Sequence, residues 1–420
     1  MMRTPLPISS RPSAVPPLDA ETEPAIAFIL GLAQALHAYG TSAHRLEGML
    51  TLVAMRLGVE ARFYSTPTAV MASFGPVTAG RTCLVRVLPG ELNLDKLSLL
   101  HATAIAVIRG KKGLADGHAE VARIVQAAPR YEGWPSIVAF AASSGSAAAF
   151  FNAGFNEVLA ATLVGTMVGV LSRLLARHAR GFSMVEPVAA LCAAFCAALA
   201  SRVLGPLSTL VVTLAGIVTL LPGLSVTTAM NELATRNLAS GTARFAGAFV
   251  QLLGLGFGVA VGAKLGSTLL PAGPPMAPVD WPVAALALAV AVASLSFGVL
   301  LRAAPRDLPV ILLAGALAFA GARLGAHLFG PEIGAFSGAL AVASGSNAYA
   351  RIWDRPAALT LVPGLLVLVP GSIGFRSVFS MLESDVVSGV STAFQMVLVA
   401  VALVAGILLA NIAVPPRRPL

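Results

Sequence analysis

The chain is short of everything that a water-exposed surface needs. Charged residues make up only 11% of its 420 residues, against 57% hydrophobic, and its mean hydropathy is +0.84. Soluble domains carry about a quarter of their residues as Asp, Glu, Lys and Arg, so a soluble globular protein is excluded. Cysteine is nearly missing: Cys83, Cys192 and Cys196 are all there is, too few for a disulfide framework. Cys192 and Cys196 stand four apart in an apolar run without a His or acidic neighbour, so they read as small packing residues and no metal site is expected. Acidic residues are outnumbered 19 to 28, giving a net charge of +9. The Arg residues are dispersed singly or in pairs between apolar segments, which makes them topology signals rather than a nucleic-acid surface. Residues 1–24 lack the continuous apolar core of a secretory signal and read as a Pro- and Ser-rich disordered leader over 1–23.

Long apolar runs, by contrast, are abundant. After Trp134 about ten stretches match the ~17–25 residues that the hydrocarbon core of a bilayer requires. They cover 136–155, 157–176, 186–204, 206–222, 242–265, 282–301, 307–328, 332–350, 357–371 and 388–412. The sequence therefore predicts a mainly α polytopic membrane protein in the lipid bilayer. Before it, residues 24–133 show helical spacing, then short β-like runs at 59–64, 68–74 and 82–88, then helical spacing again. This is an α+β domain by pattern. The remaining chain divides into two membrane halves at 134–270 and 282–414, a linker at 271–281 and a tail at 415–420.

The halves carry a repeated signal. Leu220-Leu221-Pro222-Gly223 recurs as Leu368-Val369-Pro370-Gly371, and Ser240-Gly241 recurs as Ser388-Gly389, all at an offset of 148. Each half holds five segments, and an odd number inserts the second copy upside down, so the repeats are expected to be inverted. Placing the α+β domain in the cytoplasm puts eleven Arg residues, among them Arg236, Arg244, Arg302, Arg306, Arg351 and Arg355, in inside loops. Only Arg202, Lys264, Arg323 and Arg376 then fall outside, which obeys the positive-inside rule and makes both termini cytoplasmic.

A Pro-Gly pair removes a backbone donor and permits left-handed geometry, so it frees main-chain N–H and C=O groups at membrane depth. Such groups must line a polar cavity or be covered by protein. Pro222, Gly223, Pro370 and Gly371 are accordingly expected at a substrate site between the halves, against the plain alternative of a helix kink or end. Asn231 and Glu232 come two turns after the first break and could face the same cavity, although Glu232 with Arg236 also reads as a surface i,i+4 pair. Arg376 could bind a carboxylate or sit in an outer loop beside Glu383 and Asp385. Asn347 is the strongly polar residue of the eighth span, and Asn152 and Asn156 flank the first corner. Glu157 is the proton-coupling candidate if its carboxyl is buried, and a solvated turn otherwise.

Several stretches resemble the bacterial threonine/serine exporters. Tyr39-Gly40-Thr41-Ser42-Ala43-His44-Arg45-Leu46-Glu47 with Ala54-Met55-Arg56-Leu57-Gly58 is similar to that family's opening motif, and Leu92-Asn93-Leu94-Asp95-Lys96-Leu97 to a later one. Leu220 to Gly223, Asn231-Glu232-Leu233 and Ser240-Gly241-Thr242-Ala243-Arg244 resemble its membrane signature, and Leu361 to Ser380 the second-half signature. The resemblance implies export of threonine, serine or, in some branches, small carboxylates, driven by the proton gradient across a bacterial inner membrane. It places Gly40, Ser42, Arg45 and Glu47 at motif positions of the N-terminal domain. No cofactor is implied, and a homo-oligomer is left open. A membrane-anchored hydrolase using Ser42 with His37 or His44 is the rival reading. It lacks a Gly-x-Ser-x-Gly elbow and a His-Glu-x-x-His metal motif.

Overall fold

The computed structural model describes residues 22–88, 90–178, 185–269, 278–368, 371–383 and 385–415. Residues 1–21 of the expected leader, 271–277 of the linker, Pro370, and 416–420 of the tail lie outside the described residues.

The N-terminal segment is built from α1 (Glu23–Ala38), α2 (Ala43–Arg56), strands β1 (Ala61–Thr66), β2 (Ala69–Phe74) and β3 (Arg81–Arg86), then α3 (Leu94–Ile108) and α4 (Leu114–Gln126). The strands form one small antiparallel sheet in the order β1-β2-β3. Val70, Ala72 and Phe74 alternate onto its buried face, as period-two patterning requires. Gly40 turns the chain between α1 and α2 with φ +92°, which glycine adopts without strain. Asn93 starts α3 by accepting the Lys96 N–H at 3.0 Å. Phe28, Ile29, Leu32, Leu46, Met49, Leu50 and Leu100 are fully buried between these elements. Their cluster does not end where the sequence placed a boundary, because Ala303, Ile311 and Leu359 of the second half belong to it. Main-chain bonds Leu94 N–H to Leu301 O (2.9 Å) and Asp95 N–H to Arg302 O (3.3 Å) fasten the same junction.

The first half comprises α5 (Trp134–Phe150), α6 (Phe155–His178), α7 (Val185–Val203), α8 (Thr209–Gly216), α9 (Gly223–Ala234) and α10 (Leu238–Leu269). The second comprises α11 (Val283–Leu300), α12 (Leu308–Phe329), α13 (Pro331–Trp353), α14 (Ala358–Leu366), α15 (Gly371–Leu382) and α16 (Val386–Ala413). Among the described residues seven helices are long and apolar enough to cross a bilayer, or eight if the pair 209–216 and 218–234, bent by 51°, is one span. Ten were expected. The shortfall falls on α5, which has 17 residues, and on α13, whose apolar face is diluted by Gly334, Ser337, Gly338, Ser344, Gly345 and Ser346. Such residues lower hydropathy while letting helices approach closely.

The halves repeat each other's packing. α6 meets α7 and α8, α7 meets α10, and α9 meets α10; likewise α12 meets α13 and α14, α13 meets α16, and α15 meets α16. Glycines make the equivalent crossings possible at the 148 offset: a Cβ on Gly258 would stand 2.2 Å from Pro187 O, and one on Gly406 2.5 Å from Phe336 O. The corners after α5 and α11 also match. Asn152 and Arg302 both have φ +57°, and Ala153 N–H to Ala148 O (3.1 Å) is repeated by Ala303 N–H to Gly298 O (2.9 Å).

Candidate functional site

The chain breaks at Pro222, which has φ −78° and ψ +33° and lies just before α9. The carbonyls freed there do not stay open. Ser144 Oγ on α5 donates to Gly216 O at 3.3 Å, and Gln251 Nε2 on α10 donates to Leu220 O at 3.1 Å. The break is thus covered by protein in the way that membrane depth demands, and Gln251 is a partner that no sequence spacing reveals. The start of α15 comes up against this break: a Cβ on Gly371 would be 3.3 Å from Gly223 Cα and 3.1 Å from Leu221 Cβ. Gly223 and Gly371 are therefore brought together from 148 residues apart.

Between α9, α14 and the N-terminal segment lies a cavity of about 360 Å³, and Pro222, Gly223 and Gly371, expected at a substrate site, are not among its lining residues. Leu224, Ser225, Thr227, Thr228 and Asn231 line it from α9, and Ala358, Leu361, Val362 and Leu365 from α14. The N-terminal segment closes it with Gly40, Thr41, Ser42, Arg45, Leu92 and His101, and Arg244 of α10 completes one wall. Two guanidiniums, hydroxyls and one carboxamide thus face the space, without an Asp or Glu among the lining residues. Leu224 and Ser225 belong to the first turn of α9, whose unpaired N–H groups and helix dipole favour an anion. Arg45 has no carboxylate partner among the described residues. Burial pushes its pKa down from the usual arginine range, yet a guanidinium stays charged at neutral pH.

Glu232 lies behind this cavity with its side chain fully buried. Its carboxylate takes the Arg244 Nε–H at 3.0 Å, the Ser240 hydroxyl at 2.8 Å and the Ala43 N–H at 2.9 Å. The last contact crosses 189 residues and supplies the N-terminus of α2 with an acceptor, which Ser42 does not, since its side chain makes no cap bond. Sequence spacing suggested Arg236 as the partner. That pairing is not made: Arg236 takes φ +64° in the turn after α9 and the ion pair goes to Arg244, twelve residues on.

The other expected site residues lie elsewhere. Glu47 accepts the Ser65 N–H at 2.7 Å and the Ser65 hydroxyl at 3.0 Å, tying α2 to β1. Asn347 is buried and donates to Asn411 Oδ1 (2.8 Å) and Val414 O (3.0 Å), tying α13 to the end of α16. Arg376 is on α15 rather than in an outer loop, exposed, with its guanidinium 5.3 Å from the Phe151 ring centroid. Asn152 accepts the Val279 N–H at 2.8 Å through its main chain, and Asn156 donates to Leu204 O at 3.0 Å. Glu157 is buried, not a solvated turn, and each of its oxygens takes a main-chain N–H, from Gly154 at 2.7 Å and Ser208 at 2.6 Å. The hydrolase geometry is not met, since no hydrogen bond joins Ser42 to His37 or His44 among the described residues; His37 Nε2 instead meets Thr66 O at 2.6 Å. The described residues also hold no cluster of His, Cys, Asp and Glu fit for a metal ion.

Residues 27–266 match the ThrE model of threonine/serine exporters, and residues 286–413 match a companion model described as "Threonine/Serine exporter, ThrE". The curated relatives include "Pheromone-regulated membrane protein 10" of Candida albicans, 27% identical over 388 residues that are 88% of this chain and 34% of the relative. The protein of the same name from Saccharomyces cerevisiae is 26% identical over 372 residues, 85% of this chain and 48% of the relative. This chain thus spans between a third and a half of the length of these relatives. No solved structure matches. With both family models matched in one chain, on either side of the linker, the protein belongs to the threonine/serine exporter family with its two halves fused.

Proposed function

We propose that the chain is a secondary exporter of small amino acids, threonine or serine, driven by the proton gradient, and that the 360 Å³ cavity is its substrate site. In this reading α8 with α9, and α14 with α15, are each one broken crossing, giving ten crossings in two inverted repeats. The corners support the inversion. α5 leaves the N-terminal segment and spans about 26 Å at 1.5 Å per residue, so the Asn152 corner is a membrane thickness away. The equivalent corner at Arg302 touches that segment directly. Both termini are then cytoplasmic, in the inner membrane of a bacterial cell.

The observation that carries the reading is the cavity lined by cations and hydroxyls that α9, α14 and the N-terminal segment enclose. A substrate carboxylate would bind Arg45 and the first turn of α9, and its hydroxyl would find Thr227, Thr228 or Asn231. The N-terminal segment completes this site rather than merely flanking it. A second reading, export of small carboxylates without an ammonium group, is favoured by the missing Asp and Glu in the lining. Reconstitution into vesicles with an imposed pH gradient tests both. Labelled threonine or serine should be moved, with unlabelled small dicarboxylates as competitors. Arg45→Gln should raise the half-saturating concentration about tenfold, the loss of one charge-assisted contact, while Arg86→Gln on exposed β3 should leave it unchanged. Equal behaviour of the two variants would reject the site.

A further inference from the structure

The equivalent corners carry equivalent acids with unlike surroundings. Glu157 stands five residues after Asn152, as Asp307 does after Arg302. Glu157 is saturated by two main-chain donors and acts as a clamp on the start of α8. Asp307 is also buried, at 4% exposure. Its Oδ1 is 3.6 Å from Arg355 Nη1, ahead of α14, and its Oδ2 has no hydrogen-bond partner. The residue faces a second cavity of about 590 Å³ between α12, α13 and α14. A buried carboxylate oxygen without a donor is costly while ionised, and a proton removes that cost.

The geometry points to Asp307 as the carboxylate that carries the coupling proton, a role resting on the export reading above. The proton adds to Oδ2, the carboxylate becomes a neutral carboxyl, and the attraction to Arg355 is lost. Arg306 beside it, Tyr349 on α13, and the Asp95–Arg130 pair of the N-terminal side are the other ionisable groups around it. Its consequence reaches the substrate site through α14, the wall shared by both cavities. Thr360 faces the second cavity, whereas Ala358, Leu361 and Leu365 face the first. Releasing Arg355 frees the start of that helix, so proton uptake and rearrangement of the substrate cavity become one event.

Three full-length variants in vesicles test this. Asp307→Asn should abolish stimulation of labelled threonine flux by a pH gradient while keeping threonine exchange at equal pH on both sides. Glu157→Gln should keep the stimulation. Arg355→Gln, which removes the counter-charge, should move the pH of half-maximal stimulation upward by about one unit. Stimulation surviving in Asp307→Asn, or lost in Glu157→Gln alone, overturns the assignment. Should Asp307→Asn fail to exchange substrate, an unmoved pH profile in Arg355→Gln overturns it instead. Infrared difference spectra of the intact protein, titrated without substrate, separate this from the export reading: the carboxyl band seen in the unaltered chain must disappear in Asp307→Asn. A protein that moves no threonine or serine but shows that band refutes the export reading and not the proton site. An identical band in the variant refutes the site.

Discussion

Replacing Glu232 by Gln isolates the contact that joins the N-terminal segment to the first half. The substitution keeps the volume and an acceptor oxygen, so packing around the fully buried side chain is preserved. It removes the counter-charge of Arg244, whose own side chain is 22% exposed. Breaking a buried ion pair from one side costs ~3–5 kcal/mol, and the partial exposure of the arginine puts this case near the lower end. The Ala43 N–H and the Ser240 hydroxyl also lose a charged acceptor, worth about 1 kcal/mol more between them. Arg244→Gln leaves the complementary fault, a buried carboxylate with two neutral donors. The double variant carries neither uncompensated charge, so the two effects should be non-additive by about 2 kcal/mol. Denaturant unfolding of the four proteins in mixed micelles measures this cycle, and hydrogen exchange at the Ala43 amide reports the docking contact separately. Additivity within about 0.5 kcal/mol, with unaltered exchange at Ala43, would refute this role for Glu232.

Other contacts give three further expected outcomes. Gln251→Ala strips the donor from Leu220 O and should destabilise the fold by ~1–3 kcal/mol, as expected of a polar group left unsatisfied; Gln251→Glu, which cannot donate when ionised, should be no better in the same unfolding assay. Gly371→Val places carbon into a gap where a Cβ would already be 3.1 Å from Leu221 Cβ. It should push the start of α15 away from the break before α9 and abolish flux while insertion survives, whereas normal flux would show that the two need not touch. His44 is held neutral, because burial and then the Arg45 charge push its pKa from 6.5 down to about 4. Between those values the unfolded chain binds more protons than the folded one, so this contribution is complete above pH 6.5, declines as pH falls and levels off below 4. The loss is at most about 3 kcal/mol, and thermal melts of His44→Gln across that window should be flatter with pH than those of the unaltered chain.

Much of the architecture was legible from periodicity. The three β-like runs appear as strands at 61–66, 69–74 and 81–86, and the helical spacing that follows them appears as α3 and α4. The Pro-Gly repeat marked the first break correctly but concealed the helix beyond it: the fourth stretch was ended at 222, whereas the chain re-forms a helix over Gly223–Ala234. Propensity sees the interruption and not the resumption, because a short amphipathic helix such as α9 owes its stability to the elements it packs against. Motif residues Gly40, Ser42 and Arg45 reached the cavity along with Asn231, while Glu47 turned out to hold a strand. Asn347, Asn156 and Glu157 are engaged by main-chain or side-chain partners that no local spacing encodes.

Hydropathy, repeat offset and proline geometry are local properties, and they suffice to predict a membrane chain and to locate the interruption before α9. Which charges meet is a different matter, settled by packing alone. Glu232 lies four residues from one arginine and twelve from another. It pairs with the distant one because the turn at Arg236 carries the nearer side chain away while α10 returns Arg244 to the buried carboxylate. Asp307 and Glu157 likewise follow matching corners of the two halves and receive different donors from their surroundings.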